Sequence, residues 1–210
     1  MKGLLLKDWY ALKSYCRANL LIIVAFAIAG GVMKGNFFFT YYPCICAGVI
    51  TMSLMAYEER EKWEQYAATL PYTKAQMVSS KYTVSLCLGA FTVLLNIIIQ
   101  LICMIIFNTY DISRLLSLII TFVPFALLPA SFLLPFIFKF GVNKGRIAYY
   151  IVLAVFCGAV GVMVSIDTIG LTDTVSTPSF FSSGILLIIS LIVYALSWGL
   201  SNFFYKNREI

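Results

Sequence analysis

Six long apolar runs, separated by short polar stretches, set the pattern of the chain. They lie near Ala18 to Met33, Phe37 to Tyr57, Tyr82 to Phe107, Leu115 to Phe138, Ile147 to Ile166 and Gly184 to Phe204. With some tilt, each is long enough to cross a hydrocarbon core of roughly 30 Å. The runs lack the strict alternation of a barrel strand, and a backbone in lipid must satisfy its own hydrogen bonds. The pattern therefore predicts an all-α, polytopic membrane protein: six transmembrane helices in a single transmembrane domain, residues 1–210.

Two polar stretches have helical periodicity of their own. In Met1 to Arg17, the residues Leu5, Trp9, Leu12 and Cys16 share a face, while Lys2, Lys13 and Arg17 lie largely off it. This predicts an amphipathic helix lying in the membrane interface, with Trp9, Tyr10 and Tyr15 anchoring it at headgroup depth. The alternative is a plain extension of the first span. The segment from Glu58 to Lys81, after the second run, is the most polar of the chain. Glu58, Glu61 and Gln65 recur at helical spacing, opposite an apolar face of Trp63, Tyr66, Ala67 and Leu70. Pro71 stops this helix, and Thr73 caps a second short one that leads into the third span. Such a helix either docks a soluble partner or is a solvated connector whose Trp63 rests at the interface.

The basic residues fix an orientation. Of 15 Lys and Arg, 13 fall in the ends and loops on one side of a six-span weave, and only Lys34 and Arg114 fall on the other. Short loops with this bias place the rich side in the cytoplasm, so both termini are expected there. The basic opening is too long for the usual start of a cleaved signal peptide, and no soluble domain follows it.

Composition then narrows the chemistry. The chain is 61% apolar and 11% charged, against roughly a quarter charged for a soluble domain. Its net charge of +6 comes from helix ends rather than from a basic, aromatic-interleaved surface, so nucleic acid is not an expected partner. There is no histidine, which removes the commonest zinc ligand and general base. The six cysteines fall in or beside apolar runs and read as buried thiols, with neither metal spacing nor a disulfide framework. Glu58 and Glu59 form a carboxylate pair at a membrane edge, where solvated acids are ordinary. No catalytic residue, metal or cofactor is assigned. No phosphate-binding loop occurs, since Gly141 to Arg146 does not fit that pattern, so any ATP hydrolysis belongs to another subunit.

Within the runs, Asn96 and Gln100 lie one turn apart on the third span, as interhelical hydrogen-bonding groups or as lining of a substrate path. Pro124, Pro129 and Pro135 in the fourth run predict kinks or a break. The pairs Ala25 and Ala29, Ala27 and Gly31, and Ala154 and Gly158 permit close helix contact. No run holds a well-centred ionisable residue, which argues against proton- or ion-driven transport.

Together these features resemble the permease subunit of a type-2 ABC exporter, over nearly the whole chain. The matching residues are Glu58, Glu59, Glu64, Thr69-Leu70-Pro71, Lys74 and Lys81-Tyr82, with Thr69 in place of the usual Ser. The small size looks most like permeases that export phenol-soluble modulins or related antimicrobial peptides. The resemblance implies that residues 1–17 are an "elbow" helix and residues 58–80 a cytoplasmic coupling region. Glu58, Glu59, Glu61, Trp63, Glu64 and Tyr66 would then contact the ATPase. It also implies two ATPase subunits carrying ATP and Mg, and a second permease copy, identical or related. The substrate would be amphipathic or lipophilic, and the location the bacterial cytoplasmic membrane. The rival readings are a substrate-capture subunit of an energy-coupling-factor importer, a membrane enzyme, and a non-transporting scaffold or immunity protein.

Overall fold

A computed structural model of the chain describes residues 2–15, 17–32, 37–67, 73–107, 112–142, 144–147, 150, 151, 154 and 180–206. Along them run α1 (Lys2–Tyr15), α2 (Arg17–Val32), α3 (Phe37–Arg60), α4 (Trp63–Ala67), α5 (Lys74–Ile106), α6 (Ile112–Phe140) and α7 (Phe180–Lys206). No strand occurs among the described residues. Four of these helices, α3, α5, α6 and α7, are long and apolar enough to cross a membrane. The first predicted span is α2, whose 16 residues rise only about 24 Å. It qualifies only when taken with α1, from which it departs at a bend of 72°. The fifth predicted span lies largely outside the described residues, and so does Gly158.

α3 is the central helix. In its apolar stretch 61% of the residues are buried, against 17% in α7, so α7 is the peripheral member. One apolar cluster joins Leu12, Ile23, Ile50, Leu54, Val84 and Leu88 across α1, α2, α3 and α5. A second joins Tyr41 and Cys44 to Val93 and Phe122. A third, of Met52, Val78, Leu134, Phe138 and Tyr205, ties α3, α5, α6 and α7 at one end of the bundle. In lipid no hydrophobic force draws helices together, so close packing and interhelical hydrogen bonds must do so.

The prolines supply sites for both. α6 stays helical through Pro124, Pro129 and Pro135, so of the predicted kinks or break the break does not occur. Each proline nevertheless removes the N–H that the carbonyl four residues earlier would have met. For Pro135 that carbonyl belongs to Ser131, and the Ser197 hydroxyl of α7 donates to it at 2.6 Å. The Ser197 proton is thereby committed, so the Tyr82 hydroxyl, 2.6 Å away, donates to Ser197. Ser201, 2.7 Å from the same phenol, completes a chain of hydroxyls that joins α5, α6 and α7. Pro43 in α3 frees the Phe39 carbonyl in the same way. There α2 approaches so closely that a Cβ at Gly30 would lie 2.7 Å from that oxygen. Gly31 faces Cys103 of α5 and Ala27 is buried, so of the small pairs Ala27–Gly31 makes the inward contact. Ala25 is exposed. Cys44 and Cys46 are buried as expected, but Cys87 is exposed.

Two local expectations are corrected. Thr73 caps no separate short helix but begins α5 itself. Its hydroxyl accepts from the Gln76 N–H at 3.3 Å, and its own N–H donates to the Gln76 side chain at 3.2 Å. This reciprocal cap starts a single 33-residue helix that runs into the span. The expected helix from Glu58 toward Pro71 is likewise not one element. Glu58 to Arg60 are the last turn of α3, a turn follows, and α4 holds only five residues. Pro71 lies outside the described residues.

Helices α6 and α7 run in the same direction, because Ser131 pairs with Ser197, and Phe138 packs on Tyr205. The ends of α3, α6 and α7 and the start of α5 therefore gather at one end of the bundle. Replacing Ser197 with Ala should cost about 1–3 kcal/mol by orphaning the buried Ser131 carbonyl. In a Pro135→Ala background, where residue 135 regains its N–H, the same substitution should cost clearly less. Thermal unfolding of the four proteins in detergent checks this, and equal costs in both backgrounds would refute the pairing.

Candidate functional site

The end where these helices gather carries a compact set of charges. The last turn of α3 presents Glu58 and Glu59 about 100° apart around the helix, so the two carboxylates serve different neighbours. The helix then stops. Lys62 adopts φ 53°, in the left-handed region, with its N–H bonded to the Glu59 carbonyl at 3.2 Å. That conformation costs a non-glycine residue on the order of 1–3 kcal/mol, and it turns the chain into α4. There Ala67 is buried, Trp63 is half-buried with its ring tilted against Tyr66 at 5.4 Å between centroids, and Tyr66 is 60% exposed.

Glu58 turns inward. Its Oε1 accepts from Lys81 of α5 at 2.6 Å and also from Lys7 of α1. The Lys81 ammonium, 7% exposed as a residue, donates in addition to Asp8 Oδ1 of α1 at 2.8 Å. Lys7 lies 3.3 Å from the same Asp8 oxygen and 3.9 Å above the Trp63 ring. Two ammonium groups and two carboxylates thus close a neutral ring that joins α1, α3 and α5, with α4 held by a cation–π contact. Asp8 is 1% exposed, and its Oδ2 has no hydrogen-bond partner among the described residues. Its charge therefore depends on the two lysines. Removing one partner of such a buried pair typically costs about 3–5 kcal/mol, because the other charge is left uncompensated.

Glu59 serves the far side of α3. Its Oε2 accepts from the Val142 N–H at 2.9 Å, just past the end of α6. The turn there is made by Gly141 at φ 82°, which a side chain adopts only with strain. The two adjacent acids thus grip different helices.

The sequence-assigned residues separate accordingly. Glu58 and Glu59 are engaged within the chain. Glu61 and Tyr66 are exposed beside the half-buried Trp63, and the side chain of Glu64 lies outside the description. On α1 the inward residues are Leu4, Asp8 and Leu12, with Asp8 reaching Lys81; of the expected face Leu12 is buried and Trp9 exposed, while the side chains of Leu5 and Cys16 lie outside the description. Trp9 and Tyr10 are 66% and 65% exposed. The side chain of Tyr15 lies outside the description. Asn96 is buried deeper in the bundle and donates to Cys44 Sγ at 3.5 Å and to the Thr92 carbonyl at 3.2 Å. Its Oδ1 and the Gln100 Nε2 lack hydrogen-bond partners among the described residues.

Sequence reasoning missed Lys7, Asp8 and Lys81 as members of one site. A signal existed: Asp8 is the only acid among the first 57 residues, and Lys81 stands at the threshold of an apolar run.

A family model described as an ABC-2 family transporter protein matches residues 3–206. No curated protein and no solved structure matches the chain. That match spans α1 to α7, including the whole ionic ring and the four membrane-crossing helices. The chain belongs to the ABC-2 transporter family and is a multi-pass membrane protein, the permease subunit of an ABC transporter that works with a partner ATPase.

Proposed function

We propose that this permease is an exporter subunit, and that α4 with the turn before it is where the ATPase acts. The observation that carries this reading is the placement of α4. It is a short helix with an exposed Tyr66, at the charged end of the bundle, braced against α1 by Lys7. Glu61, Trp63, Glu64 and Tyr66 form the docking surface, an aromatic pair with a charged rim. Glu58 and Glu59 stand behind it and hold it to the bundle. ATP and Mg are bound by the partner.

The charged end is the cytoplasmic one, by the distribution of lysine and arginine. The chain then crosses the bacterial cytoplasmic membrane six times, with both termini inside. The same-direction run of α6 and α7 supports an odd number of crossings between them. Two permease copies and two ATPases make up the transporter. The substrate is an amphipathic or lipophilic molecule, a peptide of the phenol-soluble modulin or antimicrobial type, moved outward. Family membership favours this reading over an energy-coupling-factor capture subunit.

Two expected outcomes follow from this placement. Replacing Trp63 and Tyr66 together with Ala should leave the chain in the membrane at normal abundance but reduce co-purification of the ATPase by about tenfold or more, the scale of losing aromatic anchors. Undiminished co-purification would end the docking assignment. Replacing Asn96 and Gln100 with Leu removes two amides, each with a buried polar atom that has no hydrogen-bond partner among the described residues, so thermal stability should hold or rise. ATP-driven uptake of an amphipathic helical peptide into inside-out vesicles should fall. If uptake is unchanged, the two residues do not line the pathway.

A further inference from the structure

A ring of four charges is an indirect way to hold helices together, since apolar side chains of equal volume do so at least as well. What it adds here is connection. The Lys81 ammonium bonds at once to α1, through Asp8 at 2.8 Å, and to α3, through Glu58 at 2.6 Å, while belonging to α5. Lys7 closes the ring and reaches 3.9 Å over Trp63 of α4. An unbroken path of direct contacts therefore runs from the short surface helix to the N-terminal helix and on to the start of the 33-residue α5. Apolar contacts between α1 and the bundle are few by comparison: Leu4 and Leu12 are its two buried apolar side chains among the described residues, one turn either side of Asp8. Apolar contacts can slide, whereas ion pairs made through one shared ammonium fix the register of three helices at a point.

We infer that Lys81 is a positioning residue that locks α1 to α3 and α5, so that a displacement of α4 by the ATPase moves the N-terminal helix together with the start of the third span. This rests on the proposed docking at α4. The helix expected to lie in the interface is then a moving part of the transport cycle rather than a passive anchor. Its exposed Trp9 and Tyr10 are carried through the headgroup layer as the cycle turns.

The test uses the full chain purified with its ATPase, compared with and without vanadate-trapped nucleotide by hydrogen–deuterium exchange. In the unmodified protein, trapping should change exchange in residues 2–15 and in residues 74–82 together. The pair Asp8→Asn with Lys81→Met cuts the link without leaving an unpaired charge, because Lys7 and Glu58 still neutralise each other. In it the response of residues 74–82 should be lost, while that of residues 2–15, still joined to α3 and α4 through Lys7, persists and the ATPase remains bound. Lys81→Arg, which keeps the charge and several donors, should restore the joint response. A merely structural role would alter resting exchange in both segments without separating their responses to nucleotide. The joint is disproved if residues 74–82 respond equally in the Asn–Met variant, or if α1 does not respond in the unmodified protein with the ATPase bound. If no ATPase co-purifies with the unmodified protein, the docking reading fails and the joint falls with it, an outcome distinct from the other two.

Discussion

Lipid supplies no hydrogen-bond donors or acceptors, and the architecture of this protein follows from that constraint. Charges are confined to the ends of the bundle, where water or opposite charges are available. Inside it, each proline leaves a carbonyl that something must satisfy or approach. The Ser131 carbonyl opposite Pro135 receives a serine from α7, and that serine draws in Tyr82 of α5. The Phe39 carbonyl opposite Pro43 is approached by Gly30 of α2 instead. Residues that weaken one helix thus become points at which two or three helices join.

At the charged end the same constraint takes an ionic form. Asp8 is almost wholly buried, and a lone carboxylate there would be prohibitively costly. It is tolerable only because Lys81 and Lys7 surround it and Glu58 balances them. The ring holds α1 against the bundle at the place where the chain leaves α3 for α4, and the neighbouring Glu59 holds the end of α6. A permease subunit that works with a partner ATPase receives motion from outside, and in this arrangement the ends of α3 and α6 and the start of α5 are tied to α4 directly or through one neighbour. The amides Asn96 and Gln100 stand apart from the charged ring, farther along α5.

Much of this was legible in the sequence, for definite reasons. Long apolar runs read as helices because lipid admits only helices and closed barrels and these runs lack a barrel strand's alternation, and α3, α5, α6 and α7 appear close to where they were expected. Thr73 was recognisable as a cap, though it starts the span itself. The sequence placed Leu12 on the apolar face of α1 and Trp9 at headgroup depth, but local periodicity hides that Asp8 faces the bundle, because it assigns a charged residue to water. In the structure Asp8 turns inward to Lys81, a residue 73 positions away, and Trp9 turns outward. The break between α3 and α4 was also invisible, since a lysine in the left-handed region leaves no compositional trace.

The sequence alone determined that the chain is a multi-helix membrane protein and that Trp63 and its acidic neighbours sit between two apolar helices. These are properties of local composition and period, which each segment carries by itself. Only the tertiary structure decided which side chains meet: that one ammonium joins three helices, that Glu58 faces inward while Tyr66 faces out, and that a serine of the last helix repairs the proline of an earlier one. Pairings of this kind depend on distances between segments far apart in the chain, and no local pattern encodes them.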